Sequence, residues 1–322
     1  MAEHEQGDDF DPIDDLLEVL DLKREGETTI RVASPTGIGE DLADSQGDVF
    51  VGRSQPMPHG RVFGGQVLAQ CLVAAGRTVQ PVDDGADEEP KARRIHSMHG
   101  YFLRPGDANR PLRFLVERMR DGRSFSARRV HAIQDSRILM SIIMSFQEDA
   151  DGLDHQLGMP DVPAPEGLRP DREILAKIPH PVAQDTARRR PVELRHVEPL
   201  LLGPAEPGPS EQSVWLRIDR ELPDDDLLHS AILAYASDYV LLEPILRRHG
   251  IGWGDPRLRP ASLDHSMWFH RPARVDEWVL YTQSSPSAQS GRGLGIGHMY
   301  AADGTLLATV GQEGIVRLKG SD

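Results

Sequence analysis

Cysteine is almost missing: Cys71 stands alone among 322 residues, so no disulfide can form within the chain and a reducing compartment, the cytoplasm, is the expected setting. Long apolar runs are missing too. No stretch approaches the ~20 residues of a membrane-crossing helix, and the acidic opening MAEHEQGDDFDPIDD lacks the basic-then-apolar order of a secretory signal. Positive charge is scarce, with 36 Lys+Arg against 51 Asp+Glu and a net charge of −15. That field repels polyphosphates, which excludes nucleic acid and anionic membrane surfaces as general partners. An anionic ligand then needs a local arginine cluster; Arg93 with Arg94, Arg128 with Arg129, and Arg188 to Arg190 are those present. No G-x-S-x-G elbow occurs, which disfavours a serine α/β-hydrolase. Gly291, Gly293, Gly295 and Gly297 form no G-x-G-x-x-G loop; they alternate along a strand and bare one face for close packing. His96 and His99, like His265 and His270, are spaced so that a strand turns them to opposite faces, so no metal and no cofactor is expected.

What is present is enough for a core: 39% apolar residues, with 27% charged. The segment Leu228 to Leu242, LHSAILAYASDYVLL, is apolar around nearly its whole circumference and predicts one buried helix, opened by Pro223 and Asp224 to Asp226. A single carboxylate, Asp238, falls inside it. Burial there demands hydrogen bonds, a shifted pKa or water, and each of these makes Asp238 a candidate for chemistry. A second apolar helix is expected over 61–79, opened by Gly64 and Gly65 and closed by Gly76, with Cys71 buried in its middle. Strand patterns surround both helices: Thr28 to Ala33, Asp48 to Gly52, Arg94 to Leu103, Leu112 to Arg120, Ser124 to Gln134 and Ile138 to Phe146 in the first half. Val214 to Ile218, Pro260 to His270, Trp278 to Ser284, Gln289 to Tyr300 and Leu306 to Arg317 follow in the second.

Between 151 and 210 lie 11 of the 25 prolines, which predicts a connector with short helical pieces such as Asp171 to Ile178 and no interior strand. The expected organisation is a disordered acidic tail over 1–12, a first unit over 13–150 that begins with a short amphipathic helix from Pro12 to Leu22, the connector over 151–210 and a second unit over 211–318. The two units repeat in letters as well as order. The strings ending at Gln147 and Gln312 correspond at a shift of 165, as do FGGQVLAQC from Phe63 and LHSAILAYA from Leu228. Asp238 then lies opposite Val73, so one reactive centre per chain is expected.

RVFGGQ (61–66), HSMHGYFLRPGD (96–107), DGRSFSARRV (121–130), YASDY (235–239), LDHSMWFHRP (263–272) and QEG (312–314) together resemble the type II acyl-CoA thioesterases, the TesB-like double-hotdog family. The resemblance runs from about Asp14 to Arg317. It implies an α+β fold, a double hotdog of two tandem units, each an antiparallel sheet wrapped around a central helix. It also implies a catalytic group at Asp238, Ser262 and Gln312, the middle position often being threonine in the family. A carboxylate, a hydroxyl and a carboxamide can hold one water, with Asp238 as general base, and no covalent acyl-enzyme is needed. For the developing oxyanion, helix physics points to free amides at the start of the second helix, at Ser230 and Ala231. The expected function is hydrolysis of fatty acyl-CoA to fatty acid and CoA, by a homo-oligomer (dimer or tetramer) with an apolar channel beside the second helix. Two other classes stay open: a hotdog dehydratase or hydratase, whose D-x-N-P-x-H pattern is absent, and an acyl-CoA-binding protein without catalysis.

Overall fold

The computed structural model describes residues 10–31, 44–79 and 92–320. The first half comprises α1 (Pro12–Leu20), β1 (Lys23–Arg31), β2 (Asp44–Gly52), α2 (Gly64–Gly76), β3 (Arg93–Phe102), β4 (Leu112–Asp121), β5 (Phe125–Gln134) and β6 (Arg137–Glu148). α3 (Asp171–Leu175), α4 (Pro181–Arg189) and β7 (Glu193–His196) follow. The second half has β8 (Glu211–Arg217), α5 (Asp226–Ser237), α6 (Glu243–Arg248), β9 (Leu258–Ser262), β10 (Asp264–Phe269), β11 (Val279–Gln289), β12 (Arg292–Ala301) and β13 (Leu306–Leu318). Most of the expected tail, the end of the first expected strand and the charged loop after α2 fall outside the described residues.

The strands form one antiparallel sheet in the order β1-β2-β4-β5-β6-β3-β10-β13-β12-β11-β8-β7, with β9 pairing on β13 beyond β10. Its first six strands belong to the first half of the chain and its last six to the second. They join where β3 meets β10, Met98 opposite Met267. Alternation sets the faces: in β5, Ser126, Arg128, Val130, Ala132 and Gln134 turn inward while their neighbours turn out. The sheet curls around α2 and α5, which pack on each other. Both helices are apolar all round because each is enclosed by sheet and partner helix together, and every residue of α2 from Gly65 to Ala75 is buried. Leu68 and Leu72 from α2, Ile232 and Leu233 from α5, and Met98 and Met267 from the seam share one continuous core. Each such side chain contributes on the order of 1.5–3 kcal/mol.

Two expectations change. The segment read as one helix from Leu228 to Leu242 is two. α5 stops at Ser237, Asp238 caps its C-terminus, Val240 takes a left-handed φ of 54°, and α6 begins at Glu243. The reason lies at Pro244, in the first turn of α6: a proline there, in one uninterrupted helix, has no N–H to give and collides with the carbonyl of residue 240. The connector is also richer than its prolines suggest. It contains α4, and β7 pairs with β8 as the edge strand at the far end of the sheet, where one side of the backbone needs no partner. The alternating glycines of β12 behave as expected. A Cβ at Gly293 would strike the Ile245 side chain at 2.6 Å, and one at Gly295 the Leu241 carbonyl at 2.3 Å, so the bare strand admits the α5–α6 segment.

Candidate active site

α5 starts on Asp225, whose carboxylate accepts the Leu227 and Leu228 amides, and it delivers Asp238 at its far end. There the carboxylate meets the start of α2. A Cβ at Gly64 would lie 2.7 Å from Asp238 Oδ2, and one at Gly65 only 2.3 Å from the Tyr235 carbonyl. The glycine pair therefore lets the positive end of α2 come up to the acid. Burial is the largest influence on Asp238 and raises its pKa. Gln312, the Gly65 N–H and Ser262, which favour the charged form, pull it only part of the way back, leaving it at about 7. Oδ1 is buried and finds no hydrogen-bond partner among the described residues. A base with that pKa and a vacant lone pair suits proton abstraction near neutral pH.

Ser262 ends β9, and Gln312 lies in β13 beside it. Gln312 Nε2 donates to Ser262 Oγ at 2.8 Å, and its Oε1 contacts His265 Nδ1 at 2.5 Å. Burial depresses the His265 pKa to about 4, so the ring is neutral. Its other nitrogen lies 2.9 Å from Ser237 Oγ, and the Tyr281 hydroxyl donates to the Ser237 carbonyl. The structure thus brings together Asp238, Ser262 and Gln312, the three positions that the resemblance names.

It does not bring Ser230 and Ala231 to them. These are the fifth and sixth residues of α5, past the first turn, so their N–H groups belong to the helix's own ladder. They also sit toward the opposite end of α5, about 12 Å of helix rise from Asp238. The helix start that reaches the carboxylate belongs to α2, where Gly64 to Gln66 carry the first-turn amides. The sequence analysis names Gly64 and Gly65 only as helix openers and His265 only as a rejected metal ligand, and it does not single out Ser237; the place of all four beside Asp238 and Gln312 appears only in the structure. Partial signals were available: His265 shares inward parity with buried Met267, and Ser237 adjoins the lone acid.

Beside this site lies a cavity of about 180 Å³ with Met57, Phe63, Tyr235 and Tyr239 in its wall and Gln55 and Arg190 at its polar edge. Phe63 stacks on Tyr239, the residue after Asp238. The three arginine clusters are committed elsewhere. Arg93 and Arg128 are buried and pair with Glu148 and Asp121; Arg94 binds Asp149 and Asp226, Arg129 binds Glu117, Arg188 and Arg189 bind Asp185, and Arg190 binds Asp171. Cys71 is fully enclosed, which raises its thiol pKa far above the ordinary range and leaves it inert. Among the described residues no group of three or more His, Cys, Asp or Glu is placed to hold a metal ion, and no helix is long and apolar enough to cross a membrane.

The model of the acyl-CoA thioesterase family matches residues 197–315, and that of the acyl-CoA thioesterase N-terminal domain matches 53–147. Acyl-CoA thioesterase 2 of Haemophilus influenzae is 38% identical over 84% of this chain and 92% of its own length. Human acyl-coenzyme A thioesterase 8 is 35% identical over 97% of this chain and 93% of its own. The crystal structure of the acyl-CoA thioesterase II TesB2 of Mycobacterium marinum superimposes with a TM-score of 0.71 at 37% identity, covering 95% of this chain and all of that one. The chain belongs to the acyl-CoA thioesterase family and has its double hotdog fold.

Proposed function

We propose that this acyl-CoA thioesterase hydrolyses fatty acyl-CoA by general-base activation of water at Asp238, with no covalent acyl-enzyme. The observation that carries the reading is the convergence of three elements on one carboxylate: Asp238 at the end of α5, Ser262 on β9 and Gln312 on β13, with Asp238 Oδ1 left unpaired. Asp238 takes the proton. Ser262 and Gln312 orient the water toward the thioester carbon, which is where most of the entropic advantage arises. The oxyanion is met by the first-turn amides of α2 at Gly64 and Gln66, the Gly65 N–H being held by Asp238, in place of Ser230 and Ala231. Ser262 is assigned no nucleophilic role, since among the described residues no histidine contacts it as a base.

The cavity walled by Met57, Phe63, Tyr235 and Tyr239 receives the acyl chain, a role supported by its aromatic lining and its place next to Asp238. The chain works in the cytoplasm, which a lone buried cysteine favours, and as a dimer or tetramer, which exposed Tyr101, Ile143 and Trp268 on the outer sheet face favour. The matched segments support a division into units over 13–150 and 211–318, with β7 added to the second from the connector.

Release of free CoA thiol from a graded panel of acyl-CoAs tests the reading. Asp238→Asn should fold and lose activity by at least 10²-fold. Turnover like that of the parent protein removes Asp238 from the mechanism. Tight acyl-CoA binding without thiol release by the parent protein makes it a binding protein, and hydration of enoyl-CoA makes it a hydratase.

A further inference from the structure

Gln312 can act in two opposite ways, because a carboxamide presents a donor on one side and an acceptor on the other. With its NH₂ turned toward Ser262 and Asp238 it supports a carboxylate and a water. Turned over, it aims a carbonyl at the same carboxylate and repels it. On this side the Ser262 hydroxyl donates or accepts equally well, and the Asp238 carboxylate, which accepts from Gln312, favours the first orientation only while it is charged. A second constraint, independent of the charge on Asp238, comes from the other side, where among the described residues the imidazole of His265 lies against Gln312 Oε1.

From this we infer that His265 is a positioning residue for catalysis: its Nδ1–H holds the carbonyl of Gln312 and so fixes the amide with its donor toward Ser262 and Asp238. Three observations carry the inference. His265 and Gln312 are both buried, at 0% and 1% exposure, so no solvent molecule stands in for a missing partner. A carbonyl oxygen only accepts, so the contact requires the proton on Nδ1. The tautomer with that proton leaves Nε2 an acceptor, and the Ser237 hydroxyl, 2.9 Å away, turns its single proton to that nitrogen; in the other tautomer the proton stays on the Ala234 carbonyl at 2.8 Å. Ser237 directly precedes Asp238, so the polar chain closes on itself: Ser237, His265, Gln312, Ser262 and Asp238 link α5, β10, β13 and β9 in one circuit. A buried network of this kind specifies one arrangement when every member is satisfied.

The inference rests on the reading of Gln312 as part of the catalytic group, and the experiment separates the two. The variants are His265→Asn, His265→Gln, His265→Leu, Gln312→Ala and the double variant His265→Leu/Gln312→Ala, compared by kcat and KM for thiol release and by Tm. Asn places its amide N–H where Nδ1 stands, whereas Gln places it near Nε2, so Asn should stay within about fivefold of the parent kcat. Gln and Leu should fall by about 10- to 100-fold with KM little changed. In the Gln312→Ala background, adding His265→Leu should reduce kcat no further, because the residue acts through a group already gone. Full activity in His265→Leu overturns the inference, as does a Gln variant that outperforms Asn, the order expected if volume alone matters. Losses that multiply in the double variant overturn it as well. If Gln312→Ala itself retains full activity, the catalytic reading of Gln312 falls and this inference with it.

Discussion

At Asp238 stability and function pull against each other. Its pKa is about 7 in the folded chain against an ordinary 3.8, so the folded state binds the extra proton between those values and folding loses stability as pH rises from about 4 to 7. Above pH 7 the buried charge costs on the order of a few kcal/mol, since each pKa unit corresponds to about 1.4 kcal/mol. Asp238→Asn should therefore raise Tm at pH 8 and change it little at pH 4, and a variant destabilised at pH 8 contradicts the shift. The same titration predicts an acid limb in kcat/KM: activity halves near pH 7 and falls tenfold per unit below it, which a pH profile on a neutral substrate analogue checks. Gly64 supplies the second prediction at this scale. An added methyl would stand 2.7 Å from Asp238 Oδ2, so Gly64→Ala should lower kcat about 10- to 100-fold with Tm moving little. Unchanged kcat would mean that α2 need not approach the acid so closely. Asp238 was legible in the sequence because a charge in an apolar segment is conspicuous, and Ser262 and Gln312 only through motif resemblance. For His265 the sequence offered only its inward parity with Met267; its contact with Gln312 lies across two strands and could not be read along the chain.

The clearest case among the elements is the packing of α6. Its Glu243 is buried with His196 of β7 and Asp171 of α3: His196 Nδ1 lies 3.0 Å from Asp171 and Nε2 3.8 Å from Glu243, and Arg247 and Trp253 also bind Glu243. Burial alone would lower the His196 pKa, but the two carboxylates outweigh it and raise the value to about 9. The cluster ties the connector to the segment that follows Asp238. A histidine with a raised pKa stabilises fully below its ordinary value of 6.5 and loses that contribution as pH climbs to 9. Denaturant melts should show stability falling by roughly 2–3 kcal/mol across that window, a fall that His196→Gln abolishes together with part of the stability at pH 6. A pH-independent melt between 6.5 and 9 would contradict it. None of this was readable beforehand, because Asp171, His196 and Glu243 are far apart in the chain and each alone is an ordinary polar residue. The break between α5 and α6 was readable, at Pro244, but the apolar continuity of 228–242 masked it.

For the whole molecule, the proposed catalytic group draws on both halves: Asp238, Ser262 and Gln312 come from the second, and the Gly65 amide that donates to Asp238 comes from the first. The halves also share one core and one sheet through the β3–β10 seam. They should therefore unfold in a single calorimetric transition, with activity lost over the same temperatures as the signal from the sheet; two separated transitions would mean independent units. What the sequence by itself determined is the repeat: two apolar helices, each with its meander, and one acid among them, because hydrophobic periodicity is a local property read along the chain. Only the tertiary structure decided which helix start faces that acid. The prediction from one helix named Ser230 and Ala231, yet the free amides that reach Asp238 belong to α2 of the other half, since the two helices lie against each other and the end of one meets the beginning of its neighbour.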